Sequence, residues 1–349
     1  MPIFKHVFVF SLLFLLIACG DQKVAEQDTQ DELMLSGYTM GPIVYSVKLM
    51  GEKTEVEKLQ LAKQVDDLLV KINRQMSTYD KTSELSLFNQ HQGQDSRSVS
   101  KELEQVLAES IRLAQVSEGA LDVTVGPLVN LWSFGPENRA ETVPSAELIA
   151  QKKAQIGIEK IRLIDGQLSK MQDNVYVDLS AIAKGFAVDK VAELLEANGF
   201  HHYLVDIGGE MRLKGSKANG QSWVVAVEKP IAGTRAVQKV IIPGDNAVAT
   251  SGDYRNYFEE NGVRYSHTID PKSGWPINHR LVSVTVIHPS AMTADGLATA
   301  IEVMGPEKGY EFATANALAV YLITKTDDGF SEQATEQFNQ YFAKSQNEQ

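Results

Sequence analysis

The sequence predicts an α+β fold, in which helices pack on sheets that are built largely from hairpins. Apolar residues between positions 56 and 76 recur at helical spacing and indicate an amphipathic helix. Two short apolar runs flank Asp165 and Gly166, a pair that is typical of a two-residue hairpin turn. Strand–helix–strand crossovers are few, so a mixed or antiparallel sheet is favoured over a doubly wound parallel one.

Further elements follow from the same patterns, with serine at helix starts and glycine at helix ends. The predicted helices lie at 56–76, from Ser100 to Gly119, near 144–157, from Ser180 to about 199, and from Ser290 to Gly305. The predicted strands lie at 43–49, in the hairpin 161–171, at 175–178, 202–207, 223–227 and 237–242, in a pair around Asn261 and Gly262, at 281–288 and, last, at 318–323. No repeat or low-complexity linker divides residues 35–349, so we expect one domain there.

The composition is that of a globular protein with an acidic balance. The 349 residues are 43% hydrophobic and include 33 basic and 45 acidic side chains, which gives a net charge of -12. No run of Lys and Arg interrupts the acidic excess, so nucleic acid is not an expected partner. A phosphorylated ligand would therefore need local positive charge from a metal ion or from helix N-termini.

The N-terminal residues are typical of a bacterial lipoprotein leader. Lys5 and His6 precede an apolar run at 7–17, and Ala18 and Cys19 complete a sequence similar to a lipoprotein cleavage box. We expect a signal peptide at 1–18, a lipidated Cys19 with a flexible tether over 19–34, and the folded domain at 35–349. An incidental cysteine in a cleaved leader is the alternative. Cys19 is the only cysteine, which excludes intramolecular disulfides and cysteine-based metal or nucleophile chemistry.

Asp295 and Thr299 are a candidate metal-binding pair. Both lie in the predicted helix that starts at Ser290, and residues four apart share one helix face. A carboxylate and a hydroxyl are hard oxygen donors, which suit Mg²⁺ completed by carbonyl, water and phosphate oxygens. The structural alternative is an acidic residue near a helix N-terminus with a threonine packed below it.

The segment 177–186 is a candidate site for an anion or a polar ligand. The predicted strand ends at Asp178 and the predicted helix opens at Ser180, where free N–H groups favour negative charge. Lys184 lies one turn into that helix and adds positive charge, while Asp178 suits a ribityl or ring-polar contact. The alternative is a capped helix start with a lysine that extends towards solvent.

His267 and Asp270 are candidates for proton transfer. They lie at the end of a strand pattern, before a turn that Pro271 and Gly274 indicate. A histidine is a natural proton acceptor near neutral pH, and a nearby aspartate can orient it or hold a metal. A histidine with a purely structural role is the alternative.

Three short segments are candidates for binding a flat ring. Met40 is soft and Tyr79 is flat, so the two could hold an isoalloxazine or adenine ring, and the segment Ala120, Leu121 and Asp122 is a further candidate. Ordinary core packing would explain each of them alone. The segment 208–210, with two adjacent glycines before Glu210, is more typical of a tight turn than of a phosphate loop.

Taken in order, these segments resemble the ApbE family of FAD:protein FMN transferases over nearly the whole chain after the tether. The most specific stretches are GYTMG, MSTYDKTSELSLFN, GALDVTVGPLVNLWSFG, VDLSAIAKGFAVD, DIGGE, SHTIDPKSGWP and TADGLAT. The resemblance implies an α+β fold related to the tunnelling fold, with FAD as substrate and Mg²⁺ as cofactor.

The resemblance also implies roles for individual residues. The implied FAD contacts are Met40, Tyr79, Ala120, Leu121, Asp122, Asp178, Lys184 and Ile269. The implied Mg²⁺ ligands are Asp295, Thr299 and the main-chain carbonyl of Ala181, where some family members have threonine. Lys184 is acidic in some relatives. Members with asparagine in place of a Tyr79-type residue lean towards hydrolysis, so Tyr79 favours a transferase.

We therefore expect a Mg²⁺-dependent enzyme that cleaves FAD, releases AMP and attaches FMN through a phosphoester to a Thr or Ser of an exported protein. The resemblance implies that this acceptor is a membrane redox subunit. His267 is the candidate base, with Asp270 orienting it. The lipid anchor predicts a place on the periplasmic side of a bacterial membrane, the inner membrane being favoured over the outer. The rival functions are a Mg²⁺-dependent FAD pyrophosphatase and a non-catalytic flavin-binding lipoprotein.

Overall fold

An eight-stranded antiparallel sheet forms the centre of the protein. The structure is a computed structural model that describes residues 32–343, apart from residues 52, 138, 232–235, 254 and 255. The predicted signal peptide, Cys19 and most of the predicted tether lie outside the described residues. Within the described ranges, no helix combines the length and the apolar character that crossing a bilayer requires.

Nine helices and fifteen strands can be assigned in the described part of the chain. The helices are α1 (Glu55–Met76), α2 (Glu84–Gln90), α3 (Lys101–Val116), α4 (Gly126–Leu131), α5 (Ala146–Lys153), α6 (Ala183–Ala197), α7 (Ala291–Met304), α8 (Pro306–Ala315) and α9 (Glu336–Asn339). The strands are β1 (Glu32–Thr39), β2 (Ile43–Met50), β3 (Arg97–Ser98), β4 (Ile161–Ile164), β5 (Gln167–Lys170), β6 (Tyr203–Ile207), β7 (Glu210–Lys214), β8 (Val225–Glu228), β9 (Val237–Ile241), β10 (Ala247–Ser251), β11 (Tyr257–Glu260), β12 (Val263–Ser266), β13 (Leu281–His288), β14 (Ala319–Thr326) and β15 (Gly329–Ala334). The predicted α+β class is confirmed, whereas the relation to the tunnelling fold stays a prediction.

The large sheet separates two hydrophobic cores. Its strand order is β1-β2-β6-β7-β10-β13-β14-β15, and every neighbouring pair is antiparallel. Because side chains alternate along a strand, Val320 and Leu322 of β14 face the core under helices α1, α3, α6 and α7. Tyr321 and Ile323 face the opposite side, where α9 and the hairpin β8–β9 cover them. The main helical layer therefore lies on one face of the sheet.

Helix α7 is buried on nearly all sides and determines where the site forms. It packs on β10 and β13 of the sheet and against α6, α3 and α8. Its sequence is mostly small and apolar, as expected of a helix that is surrounded by protein. Asp295 is buried with it, at 5% exposure, so its carboxyl group lies in the interior. A buried carboxyl group of this kind needs a partner or a function.

A third, smaller core lies beside the main helical layer. Trp132 is fully buried there, stacks on Tyr265 at 5.6 Å between ring centroids, and donates from Nε1 to the Gly274 carbonyl at 3.0 Å. Helices α4 and α5 and the hairpin β11–β12 supply most of the other residues of this cluster. The bond to Gly274 fixes the turn that follows His267.

The segment before α6 differs from its prediction. Residues 175–178 do not form a β-strand. The side chain of Asn89 pairs with the backbone of Val177 instead, donating from Nδ2 to its carbonyl and accepting its N–H at Oδ1, both at 2.8 Å. A side-chain amide thus takes the place of a neighbouring strand, because it presents the same donor and acceptor as a peptide group.

Ser180 is not the N-cap of α6. The helix begins at Ala183, and Ile182 occupies the cap position without a side-chain hydrogen bond. Ser180 donates its N–H and its hydroxyl to the Asp178 carboxylate and closes a turn around it. The carboxyl group of Asp178, rather than the start of the helix, therefore determines the conformation of Ser180.

Three boundaries also differ from prediction. Strand β1 begins at Glu32, so the last three residues of the predicted tether belong to the sheet. The helix predicted near 144–157 is shorter, and β14 is not the last strand because β15 follows it. The helix starts at Ser100 and Ser290 and the hairpin turn at Asp165 are confirmed.

Candidate active site

A cavity of about 460 Å³ lies between α6, α7 and the ends of the central strands. Loop and strand-end segments at 120–125, 178–184, 208–210, 250–252 and 267–271 contribute to its wall. The wall includes eleven of the residues singled out from the sequence: Tyr79, Ala120, Leu121, Asp122, Asp178, Ala181, Lys184, His267, Ile269, Asp295 and Thr299. These residues are far apart in the sequence, and the fold brings them to one space.

Two buried carboxylates share one lysine on this wall. The Lys184 ammonium lies 2.6 Å from Glu210 Oε2 and 3.9 Å from Asp295 Oδ1. Both carboxylates raise the pKa of Lys184, which keeps it charged. Burial raises the pKa of both carboxyl groups, and the neighbouring Asp295 adds to this effect on Glu210. The cluster therefore contains one more acidic group than basic groups.

Helices α6 and α7 touch each other at Gly185. A Cβ atom at this position would lie 2.2 Å from the Ala291 carbonyl oxygen, so only glycine permits the close approach. The Gly185 N–H donates to Asp295 Oδ2 at 2.9 Å, which places the carboxylate at the N-terminal turn of α6. The glycine in the AKGF stretch thus explains how an α7 carboxylate reaches the start of α6.

The oxygen atoms around Asp295 fit a divalent cation. Thr299 is one turn further along α7 and lines the same cavity. Ala181 also lines this cavity. In the described part of the chain, no three His, Cys, Asp or Glu side chains form a metal-binding group. A cation here would therefore take hydroxyl, carbonyl, water and substrate oxygens beside the carboxylate, as Mg²⁺ commonly does.

Two aspartates shape the neighbouring wall through local turns. Asp122 Oδ1 accepts from the Thr124 N–H at 2.8 Å, and burial raises the pKa of the Asp122 carboxyl group. Asp178 accepts from Ser180, and its own N–H donates to the Val123 carbonyl at 2.7 Å. That backbone bond fixes the two turns against each other. Both side chains are thus held with oxygen atoms available to a polar ligand.

Aromatic side chains lie at the mouth of the cavity. Tyr79 is 68% exposed, and its hydroxyl donates to the Phe134 carbonyl at 3.4 Å. Phe134 lines the cavity and meets the His267 ring edge-on at 6.3 Å between centroids. A large exposed aromatic side chain at a cavity entrance is suited to stacking on a flat ligand ring.

His267 has a defined tautomer. Its Nδ1 lies 3.1 Å from the Asn256 carbonyl oxygen, which can only accept, so Nδ1 carries the proton. Burial and the positive charges of Lys184 and Arg264 lower the pKa of His267. The imidazole is therefore neutral near pH 7 and its Nε2 is free to accept a proton.

The structure does not bring Asp270 to His267. The Asp270 carboxylate accepts from the backbone N–H groups of Lys272 and Ser273 at 2.9 and 3.2 Å, and so shapes the turn. The predicted orienting role thus belongs to the Asn256 carbonyl, because Asp270 oxygens are used locally. Met40 lies in the turn between β1 and β2 with φ 49° and does not line the cavity.

Sequence reasoning missed several residues of the wall. Glu210, Ser251 and Asn256 line the cavity, but only the glycine pair before Glu210 marks it in the sequence. Ser251 and Asn256 fall near the end of β10 and in the following loop, and ordinary strand and turn patterns conceal them. The contact of Ser251 with α7 depends on how that helix packs on β10, which local patterns do not fix.

The fold and the cavity define an α+β enzyme whose site combines buried carboxylates, a neutral imidazole and an aromatic entrance. The model of the ApbE family matches residues 40–322. The chain therefore belongs to the ApbE family, and it is a transferase enzyme.

Similar proteins match along almost their full length. A Vibrio cholerae protein named FAD:protein FMN transferase is 51% identical over 334 residues, which cover 96% of this chain and 98% of that protein. The Escherichia coli K12 protein of the same name is 38% identical over 354 residues, or 99% of each chain.

Solved structures agree with the fold. The flavin transferase ApbE from Vibrio cholerae has a TM-score of 0.84 at 50% identity, covering 90% of this chain and all of that one. The apo form of the Pseudomonas stutzeri flavinyl transferase ApbE has a TM-score of 0.82 at 38% identity, covering 90% of this chain and 98% of that one.

Proposed function

We propose that the protein cleaves FAD at its diphosphate and transfers FMN to a Thr or Ser hydroxyl of an acceptor protein, with Mg²⁺ as cofactor. The observation that carries this proposal is that Asp295 and Thr299 face the same cavity as the unprotonated Nε2 of His267. The names of the similar proteins support the transfer of FMN from FAD to protein.

The reaction balances with one proton transfer. The acceptor oxygen forms a bond to the flavin-side phosphorus, and the bond from that phosphorus to the bridging oxygen breaks. AMP leaves with the bridging oxygen. The hydroxyl proton passes to Nε2 of His267, which lines the cavity and whose Nδ1 is held by the Asn256 carbonyl. A positioned base of this kind typically contributes about 100- to 10,000-fold in rate.

Asp295, Thr299 and the Ala181 carbonyl would hold the Mg²⁺ ion. When bound, the ion supplies positive charge to the phosphate oxygens as the leaving group becomes more negative. Lys184 remains beside Glu210 and contributes a fixed positive charge to the same wall. The Gly185 N–H orients Asp295 by holding its second oxygen. The acidic protein thereby concentrates positive charge where the diphosphate binds.

The remaining predicted contacts would bind the nucleoside and ring portions of FAD. Tyr79 at the entrance supplies a stacking surface, and Asp122 and Asp178 supply acceptors for ribityl or ring hydrogens. Ala120, Leu121 and Ile269 supply apolar contact along the wall. A contact from Met40 stays a prediction, since it lies in the turn outside the cavity wall.

We further propose that Cys19 carries the lipid anchor and that the enzyme works on the periplasmic side of a bacterial membrane, with the inner membrane favoured. The sequence similarity of residues 16–19 to a lipoprotein cleavage box supports this. An exported membrane redox subunit is then the proposed acceptor, because the anchor keeps the enzyme and such a subunit at one surface.

Mass spectrometry of the acceptor tests the proposal. The full chain is incubated with FAD, Mg²⁺ and the exported domain of a candidate redox subunit, with an EDTA-treated reaction as control. We expect one FMN group on the acceptor, one AMP released for each transfer, and no product in EDTA. Steady AMP release without any acceptor would instead identify a pyrophosphatase, and binding without turnover would identify a flavin-storage protein.

A further inference from the structure

Glu302 is a buried carboxyl group that the proposed reaction does not use. It is 0% exposed and lies on α7, three residues after Thr299. Its Oε2 is hydrogen-bonded to Ser251 Oγ at the end of β10. Its Oε1 has no hydrogen-bond partner in the described part of the chain. A carboxyl group with a single side-chain bond is costly to bury as an anion.

The surroundings of Glu302 keep it neutral. No described Lys, Arg or His side chain forms a salt bridge with it. The negative charge of Asp253, which itself faces Arg264 at 3.6 Å, acts on Glu302. His279 from the loop before β13 also lies near this part of α7, beside Gly305. Burial and the charge of Asp253 raise the pKa of Glu302 to about 8. At pH 7 the group is therefore mainly a carboxylic acid.

Protonation of Glu302 decides where the Ser251 proton points. An ionised carboxylate can only accept, so it would take the hydroxyl proton of Ser251. A carboxylic acid can donate to Ser251 Oγ instead, which leaves the Ser251 proton free for another acceptor. Ser251 lines the cavity, as Thr299 does, and its bond to Glu302 holds it against α7. The free donor therefore faces the space next to the proposed metal-binding turn.

We propose that Ser251 donates a hydrogen bond to a phosphoryl oxygen of the bound dinucleotide and that Glu302 is the positioning residue that directs its hydroxyl. The inference rests on the proposed function, since FAD is the occupant. A phosphoryl oxygen is the acceptor that the position favours, because Thr299 lies one helical turn before Glu302 on α7. Tyr79 and Phe134, which suit a ring, lie instead at the cavity mouth.

Binding measurements on four variants test this inference. The affinities of FAD, with Mg²⁺ present, and of riboflavin, which lacks the diphosphate, are measured by calorimetry on the full chain. Ser251→Ala and Glu302→Leu are each expected to weaken FAD binding about 10-fold and to leave riboflavin binding unchanged. Glu302→Gln should restore most of the affinity, because its amide N–H₂ can donate to Ser251 as the acid does.

A matched control is Ser110→Ala. Ser110 is also buried and donates to the Val106 carbonyl at 2.7 Å, but it lies on α3 and does not line the cavity. Its FAD affinity is expected to equal that of the unaltered protein. If Glu302→Leu does not fold, the contrast between Ser251→Ala and Glu302→Gln still decides the question.

Two outcomes would overturn the inference. One is unchanged FAD affinity in Ser251→Ala, and the other is an equal loss of FAD and riboflavin binding. Neither result contradicts the proposed function if the unaltered protein transfers FMN. Failure of the unaltered protein to transfer FMN in the acceptor experiment would contradict the proposed function itself, whatever the variants bind.

Discussion

Helices α6 and α7 hold each other through two buried carboxylates that are used in different ways. Asp189 of α6 accepts from the backbone N–H groups of Ala291 and Met292 at the start of α7, at 3.0 and 3.1 Å. The same carboxylate also accepts from Ser290 Oγ at 2.7 Å and from Arg212 Nη1 at 3.0 Å. Its hydrogen-bonding capacity is thus filled by protein groups.

Asp295 of α7 makes the reciprocal contact with α6, but protein groups do not fill all of its hydrogen-bonding capacity. It accepts one backbone hydrogen bond, from Gly185, and its other oxygen lies 3.9 Å from the Lys184 ammonium. The two carboxylates are almost equally buried, at 6% and 5% exposure. Burial alone therefore does not distinguish a structural carboxylate from a ligand-binding one. Unused hydrogen-bonding capacity next to a cavity does distinguish the two.

Replacing Asp295 should show the difference between the ligand-binding and the structural carboxylate most strongly. Asp295→Asn keeps the shape and an acceptor for the Gly185 N–H, but it removes the charge that would hold Mg²⁺. We expect FMN transfer to fall on the order of 1,000-fold, measured as labelled acceptor per minute, with unfolding midpoints near those of the unaltered protein. Transfer within a factor of a few of the unaltered rate would show that this carboxylate is not needed.

Replacing Asp189 should have the opposite effect, with a large loss of stability and a small loss of activity. Asp189→Asn leaves Arg212 without its closest carboxylate partner and weakens the cap of α7, which we expect to cost about 3 kcal/mol in free energy of unfolding. Denaturant titration measures that loss. Transfer by the folded fraction should fall only about 10-fold, since Asp189 does not line the cavity. Wild-type stability combined with lost activity would contradict the distinction.

A third buried carboxyl group, that of Glu302, makes the stability of the protein depend on pH. Because Glu302 has a pKa of about 8 in the folded state and an ordinary value when unfolded, the folded protein binds an extra proton between these values. The free energy of unfolding should therefore fall as pH rises from about 5 to 8, by up to about 1.4 kcal/mol per pH unit from this group. Below that window its contribution is fully present.

Glu302→Gln removes this dependence and so sharpens the test. The stability difference between Glu302→Gln and the unaltered protein should grow in favour of the variant as pH rises, measured by urea titration at pH 5, 6.5 and 8. Glu147→Gln, at an exposed position in the first turn of α5, is the control and should show no such growth. A difference that stays constant with pH would mean that Glu302 is ionised when folded.

The two helix starts also show what the sequence can predict. Ser290 before α7 is an N-cap in both the pattern and the structure, because its hydroxyl accepts from Thr293 within the same turn. Ser180 has the same local signal before α6, yet it binds Asp178 instead. The start of α6 is satisfied in part by Asp295 from a distant segment, and no local pattern contains that contact.

Contacts between distant segments also limit what the sequence predicts about the site. The resemblance implied ten residues that line the cavity, including Asp295 and Thr299, and the strand-end pattern added His267. It did not supply the partner of His267, because the Asn256 carbonyl is a backbone group that any residue could present. Glu302 was missed for a related reason, since only the packing of α7 against β10 reveals that it is buried beside Ser251.

The most direct test is the effect of Mg²⁺ on FAD affinity, measured by calorimetry in the unaltered protein, Asp295→Asn and Asp189→Asn. We expect Mg²⁺ to tighten FAD binding in the unaltered protein and in Asp189→Asn, and to have no effect in Asp295→Asn. Tightening by Mg²⁺ that persists in Asp295→Asn would contradict the claim that the carboxylate with unfilled hydrogen-bonding capacity holds the cation.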